Sequence, residues 1–123
     1  MSVNNQNYSN FHLIVADDSS PDYSTFYIRE YIQSTLENLH GRTTLIYNYQ
    51  GVGALANKDS IIRKYCEKGS IVVDVDADDA LIGRQVFNVL NSVFGNKDVW
   101  FAYSNHVVFE DKYPEAGMSE HLQ

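Results

Sequence analysis

Hydrophobic and polar positions divide the first third of this chain into a strand, a loop and a helix. The apolar run FHLIVA at residues 11–16 predicts a strand, and the polar sequence DDSSPD after it predicts a turn. From Ser24 to Gly41 the apolar residues recur with the period of a helix, and the glycine is a typical helix end. The members of this apolar face are Ile28, Tyr31, Ile32, Leu36 and Leu39.

The same order of strand, loop and helix then repeats. The next predicted strands are TTLIY at 43–47 and SIVVDV at 70–75, each followed by apolar residues at helical spacing. A fourth, DVWFAYS at 98–104, predicts a strand in which Trp100 is buried. Strands that alternate with helices predict an α/β fold, with a doubly wound, mostly parallel sheet and helices on both of its faces.

One domain and two polar ends account for the whole chain. Its 123 residues are 44% hydrophobic, enough for a single core, and we place the domain at residues 11–110. Residues 1–10 are a polar N-terminal segment, and residues 111–123 are a C-terminal tail without periodicity. Ligands bind such sheets at the carboxyl ends of the strands, where DDSSPD, NYQGVG and DADD all fall.

Charge and cysteine content narrow the classes of function. Nine Lys and Arg stand against sixteen Asp and Glu, and the basic residues are scattered, so we expect no nucleic-acid partner. No segment approaches the roughly 18 apolar residues of a membrane span. The single cysteine, Cys66, fits a reducing compartment, and we expect a cytoplasmic protein.

Four aspartates gather in IVVDVDADDAL at residues 71–81. Carboxylates this close repel one another, so the cluster costs stability unless a cation lies among them, and a divalent metal is the simplest one. Asp76 and Asp78 alternate across a strand end, so one carboxylate can face the cation and the other a hydroxylated ligand. They predict a Mn²⁺ or Mg²⁺ site completed by nucleotide phosphates, in which Asp74 takes no part.

Three other interpretations of these segments stay open. An EF-hand loop would require glycine in the place of Asp79, glutamate in the place of Gln85, and a helix before the loop. GVGALA at 51–56 fits the glycine pattern of a dinucleotide-binding fold, with three residues between the strand and the first glycine. In the third interpretation Asp79 caps the helix that follows, near residue 83, and its neighbours are solvated.

Three motifs in order resemble those of family 2 glycosyltransferases. VVDVDADDAL is similar to the family's DxD motif in its lDaDD form, LIVADDSSPD to its vDDgStD loop, and NYQGVGALANKDSI to the stretch between them. KDVWFAYSNHVVFEDKYPEAG resembles a continuation found in a subset of the family. The resemblance implies a GT-A fold that binds a nucleotide sugar, most often a UDP-sugar, and transfers the sugar to an acceptor that the sequence does not identify.

The resemblance also implies roles for individual residues. Asp18, with Asp17 beside it, would hydrogen-bond the base or hold the nucleotide loop. Asp76 would contact the ribose and the metal, and Asp78 would coordinate the Mn²⁺ or Mg²⁺ that bridges the diphosphate. The family's arginine is absent from its usual place, so the cationic contact with the nucleotide must come from a neighbour such as Lys58.

Both ends of the chain depart from the family pattern. Glu110 and Asp111 lie too close to the DxD stretch to be the family's catalytic pair, so the catalytic residue is unknown. The resemblance implies an enzyme, a glycosyltransferase, but the chain ends before the family's acceptor half and therefore looks like a fragment. The polar start replaces an apolar first strand that would be central. We therefore expect residues 11–16 to pair directly with 70–75, which brings Asp18 and Asp76 too close together and weakens nucleotide binding.

Overall fold

The computed structural model describes residues 2–22, 24–35, 39 and 41–108. Within them the chain forms strand β1 at Leu13–Asp17, helix α1 at Ser24–Thr35, strand β2 at Thr43–Tyr47, helix α2 at Ala54–Tyr65 and helix α3 at Val86–Val93. The predicted α/β class is confirmed, and each element overlaps a segment whose apolar pattern predicted its type, with β1 ending one residue beyond the predicted strand. Glu110, Asp111 and the tail lie outside the described residues.

β1 and β2 form a small parallel sheet, connected through α1. Asp17 at the end of β1 lies opposite Tyr47 at the end of β2. One residue further on, the backbone N–H of Asn48 donates a hydrogen bond of 2.9 Å to the carbonyl of Asp17. The loops that begin at Asp18 and Asn48 are therefore neighbours, as expected for the carboxyl ends of parallel strands.

A small apolar core forms around Leu39, which is fully buried. Residues packed against it are Phe11, Leu13, Val15, Ile28 and Leu45. Leu13 and Val15 alternate along β1, so both side chains lie on the face of the sheet that meets Leu39. The carbonyl of Leu39 accepts hydrogen bonds of 3.0 Å from the Arg42 N–H and from the Thr43 hydroxyl, which fixes the start of β2.

Helix α3 begins at Val86, too far along the chain for Asp79 to cap it. The residue before it is Gln85, so the interpretation in which Asp79 caps this helix is wrong. A capping side chain bonds to the second or third residue of its helix, and Asp79 is too far from Val86 along the chain to do so.

Across the described ranges, no helix has the length and apolar character that a membrane crossing needs.

Residues 70–75 are not a strand in the structure, and their predicted pairing with residues 11–16 is wrong. Ile71, Val72 and Val73 are exposed. An apolar run becomes a strand only where its backbone groups find a partner, and the described sheet consists of β1 and β2 without this segment. The weakened nucleotide binding expected from that pairing therefore loses its basis.

Residues 98–104 do not form a strand either. The prediction that Trp100 is buried is wrong, because 90% of this residue is exposed. Phe101 and Tyr103 are exposed beside it. An aromatic strand is buried when neighbouring strands and helices cover it, and the described part of the chain places none over these residues.

The N-terminal segment contacts the start of α3 and does not enter the sheet. The side-chain amide of Gln6 donates to the carbonyl of Gly83 at 2.7 Å, and its oxygen accepts from the Phe87 N–H at 3.3 Å. Gln6 is buried, and it satisfies a helix-end N–H that would otherwise lack a partner. The rings of Phe87 and Phe11 also meet, with centroids 5.3 Å apart. The domain boundaries at residues 10 and 110 stay predictions.

Candidate functional site

The carboxylate of Asp18 joins two loops at the ends of the strands. The first loop (residues 17–20) includes the last residue of β1, and the second loop (residues 48–53) follows β2. The carboxylate oxygens accept hydrogen bonds from the Val52 N–H at 3.0 Å and from the Gly53 N–H at 2.8 Å. Gly53 directly precedes α2 with φ of 89°, a conformation that favours glycine. Asp18 therefore anchors the turn that leads into α2, because it binds the two N–H groups just before the helix.

Asn48 completes this connection, although the sequence predicted no role for it. Its side-chain amide donates to Asp18 at 2.8 Å and to the side-chain oxygen of Asn57 at 3.0 Å. One amide thus links the first loop, the second loop and the first turn of α2. The available signal was an asparagine placed directly after a predicted strand, with a second one at the start of the following helix.

Hydrogen bonding lowers the pKa of Asp18 below its ordinary value. The Val52 N–H has the largest effect, and the Asn48 side chain and the Gly53 N–H act in the same direction. Desolvation acts in the opposite direction and is outweighed. Asp18 is therefore held as a carboxylate, the form that can accept all of these hydrogen bonds.

We expect Asp18→Asn to reduce the acid sensitivity of the folded state. The lowered pKa means that this carboxylate stabilises the fold fully above its unfolded pKa of about 3.9, and that the contribution is lost as pH falls through the lower folded value. Urea midpoints between about pH 3 and pH 6 should therefore fall less steeply with acid in the variant than in the wild type. Asp98→Asn, at an exposed position beyond α3, is the control, and equal slopes for Asp18→Asn and the wild type would contradict the expectation.

Asp17 holds the first loop in shape. Its side chain is nearly buried, and it accepts a hydrogen bond of 2.8 Å from the Ser20 N–H. Ser19 adopts φ of 69°, and its hydroxyl donates to the Tyr49 carbonyl in the second loop at 3.3 Å. Both predicted aspartates of the first loop thus organise the loop, and a contact of either with a nucleotide base stays a prediction.

The same contacts disfavour a dinucleotide at GVGALA. A dinucleotide-binding fold places the diphosphate on free backbone N–H groups at the N-terminus of the helix that follows the glycines. At α2 the N–H groups of Val52 and Gly53 already bind the carboxylate of Asp18. A diphosphate at this position would have to displace Asp18 or accept its negative charge at close range.

Lys58, in the second turn of α2, binds the aspartate cluster. Its Nζ lies 2.6 Å from Asp74 Oδ2 and 3.5 Å from Asp76 Oδ1. The hydrogen bond and the charge of Asp74 are the main causes that raise the pKa of Lys58, and Asp76 adds to them. The cation beside two of the four aspartates is therefore a lysine of the same chain. The sequence did not predict this pairing; it predicted for Asp74 only that it takes no part in the metal site.

Asp76 and Asp78 share a tight turn at residues 76–79, which we name the aspartate turn. It is closed by a hydrogen bond of 3.0 Å from the Asp79 N–H to the Asp76 carbonyl. Residues 66–73 before it contain no helix, so the EF-hand interpretation is wrong.

The donor groups of the aspartate turn fit a metal only if a ligand completes its coordination. The described residues include no group of three or more His, Cys, Asp or Glu that could hold a metal ion. Mg²⁺ binds proteins through one or two carboxylates when water and phosphate oxygens fill its other positions. Asp76 and Asp78 therefore fit a metal that is shared with a phosphate ligand, and they do not fit one enclosed by protein alone.

Comparison with known proteins gives one match. The family model described as "Glycosyl transferase family 2" matches residues 1–120. Its range includes both loops, α2 and the aspartate turn. Neither a curated protein nor a solved structure matches the chain.

Proposed function

This chain belongs to glycosyl transferase family 2, and we propose that it binds a nucleotide sugar, specifically a UDP-sugar, for transfer of the sugar to an acceptor. The donor lies across the first loop, the second loop and the aspartate turn. Asp76 and Asp78 would hold a divalent cation, Mn²⁺ or Mg²⁺, which would offset the negative charge of the donor's diphosphate. The family supports the reaction class, and the structure supports the choice of residues.

One observation carries the choice of site: three separate segments meet the N-terminal half of α2. Asp18 of the first loop binds the N–H groups that precede the helix. Asn48 of the second loop binds Asn57 in its first turn. Lys58 in its second turn binds Asp74 and Asp76. A ligand at this end of α2 therefore has polar groups from all three segments within reach.

Each part of the site has a separate task in this proposal. Asp17 and Asp18 hold the first loop in the conformation that receives the nucleoside. Asp76 and Asp78 hold the cation, and Lys58 is available to the diphosphate. When bound, the cation supplies positive charge that offsets the negative charge growing on the nucleotide as the sugar leaves.

The proposal also includes partners and location. The acidic chain, with its scattered basic residues, supports a small nucleotide partner and no nucleic acid. The single cysteine supports a cytoplasmic location.

Titration calorimetry with UDP tests the proposed donor. We expect UDP to bind at least about tenfold more tightly with saturating Mn²⁺ than with EDTA, because the cation joins two negatively charged groups. NADH, titrated under the same conditions, should not bind. Binding of NADH without binding of UDP would overturn the proposal in favour of a dinucleotide-binding module.

A further inference from the structure

Lys58 and the proposed cation compete for one carboxylate. The ammonium of Lys58 is already 3.5 Å from Asp76 Oδ1, and Asp76 is also a proposed ligand of the divalent cation. Two positive charges on the same carboxylate repel each other at a separation of a few ångströms. Binding of the cation at Asp76 should therefore weaken the ion pair between this carboxylate and Lys58.

The ion pairs of Lys58 are of a kind that can exchange partners. The side chain of Lys58 is 44% exposed, and those of Asp74 and Asp76 are more exposed still. Exposed ion pairs add little to the stability of a fold, since water and salt screen them. The lysine side chain is also long and flexible, so its ammonium can move several ångströms without any movement of α2.

A diphosphate would offer Lys58 a new partner at the same place. In the proposed complex Asp76 would hold the cation, and the cation would hold the phosphate oxygens nearby. An ammonium that neighbours Asp76 is then within a side-chain rotation of the phosphates, to which lysine binds as a point charge. Its position in the second turn of α2 keeps it at this end of the helix in either arrangement.

Resting on the proposed function, we infer that Lys58 changes partners during donor binding. In the free protein its ammonium neutralises Asp74 and Asp76. In the complex the divalent cation takes Asp76, and the ammonium of Lys58 turns to the diphosphate. Lys58 therefore opposes the binding of the cation alone and favours the binding of the nucleotide with the cation.

Lys58→Met tests this exchange because it should change two affinities in opposite directions. Binding of Mn²⁺ alone, measured by calorimetry or by the paramagnetic resonance of free Mn²⁺, should become roughly fivefold tighter, since no ammonium competes for Asp76. Binding of UDP at saturating Mn²⁺ should become roughly tenfold weaker, since the diphosphate loses a cationic contact. Lys58→Arg keeps the charge and should change both affinities less.

Lys64→Met is the matched control. Lys64 lies on the same helix, and its Nζ is over the ring of Tyr65 rather than at the aspartates. Removing this charge should leave both affinities close to those of the wild type. If Lys58→Met shifts both affinities in the same direction or shifts neither, while the wild type binds Mn²⁺ and UDP, the exchange is overturned and the proposed function stands. If none of the variants nor the wild type binds UDP with Mn²⁺, the proposed function fails, and the exchange fails with it.

Discussion

Asp78→Asn is expected to abolish the manganese dependence of UDP binding. The substitution keeps the size of the side chain and removes its negative charge, which a divalent cation requires of its protein ligands when they number only one or two. The ion pairs described for Lys58 involve Asp74 and Asp76 and not Asp78, so Asp78 meets the cation without that competitor. Calorimetry at saturating Mn²⁺ should show that UDP binds about 100-fold more weakly. Loss of a residue that only supports a metal ligand already weakens metal binding by about 10- to 100-fold, and loss of the ligand itself should cost at least as much.

Asp74→Asn provides the contrast within the same cluster. Asp74 binds Lys58 at 2.6 Å and is not a proposed metal ligand, so its substitution should weaken metal-dependent UDP binding by only a few-fold. Asp98→Asn, outside the cluster, should leave binding unchanged. A loss of manganese dependence in Asp74→Asn, with none in Asp78→Asn, would show that the DxD motif has been assigned in the wrong register.

The elements that the sequence predicted correctly are those whose signals are local. The helical period around Ile61 and Ile62 lies within α2, and the apolar runs at 11–16 and 43–47 predicted β1 and β2. These two strands find each other because α1 connects them at close range along the chain. Residues 70–75 carry an equally apolar run, but strand formation also depends on a backbone partner, which a period cannot reveal.

The residues of the candidate site were predictable by type and not by contact. The placement of Asp17, Asp18, Asp76 and Asp78 directly after predicted apolar runs follows from the sequence alone. The binding of Asp18 to the turn before α2 depends on the approach of the first loop to Gly53, which is set by strand register. The pairing of Lys58 with Asp74 likewise depends on where the segment after α2 returns to that helix.

Leu39→Ala is expected to cause the largest loss of stability of any single substitution proposed for this chain. Leu39 is fully buried, and residues of α1, β1 and β2 pack against it. Removing a buried leucine side chain costs about 2–5 kcal/mol, because apolar contacts are lost and a cavity remains. A domain of ordinary stability has only about 5–15 kcal/mol in all. Urea unfolding followed by circular dichroism should therefore show a much lower midpoint.

Leu55→Ala is the matched control for this substitution. Leu55 is 83% exposed in the first turn of α2, so the same chemical change removes little packing there and gives the helix a residue of higher helical propensity. Its midpoint should stay close to that of the wild type, and equal losses in the two variants would contradict the core around Leu39.

Leu39 also supports the strands whose ends carry Asp18 and Asn48. Without urea, where the Leu39→Ala chain is still folded, its UDP binding with Mn²⁺ should therefore be weaker than that of the wild type. UDP binding by Leu55→Ala should not be weaker.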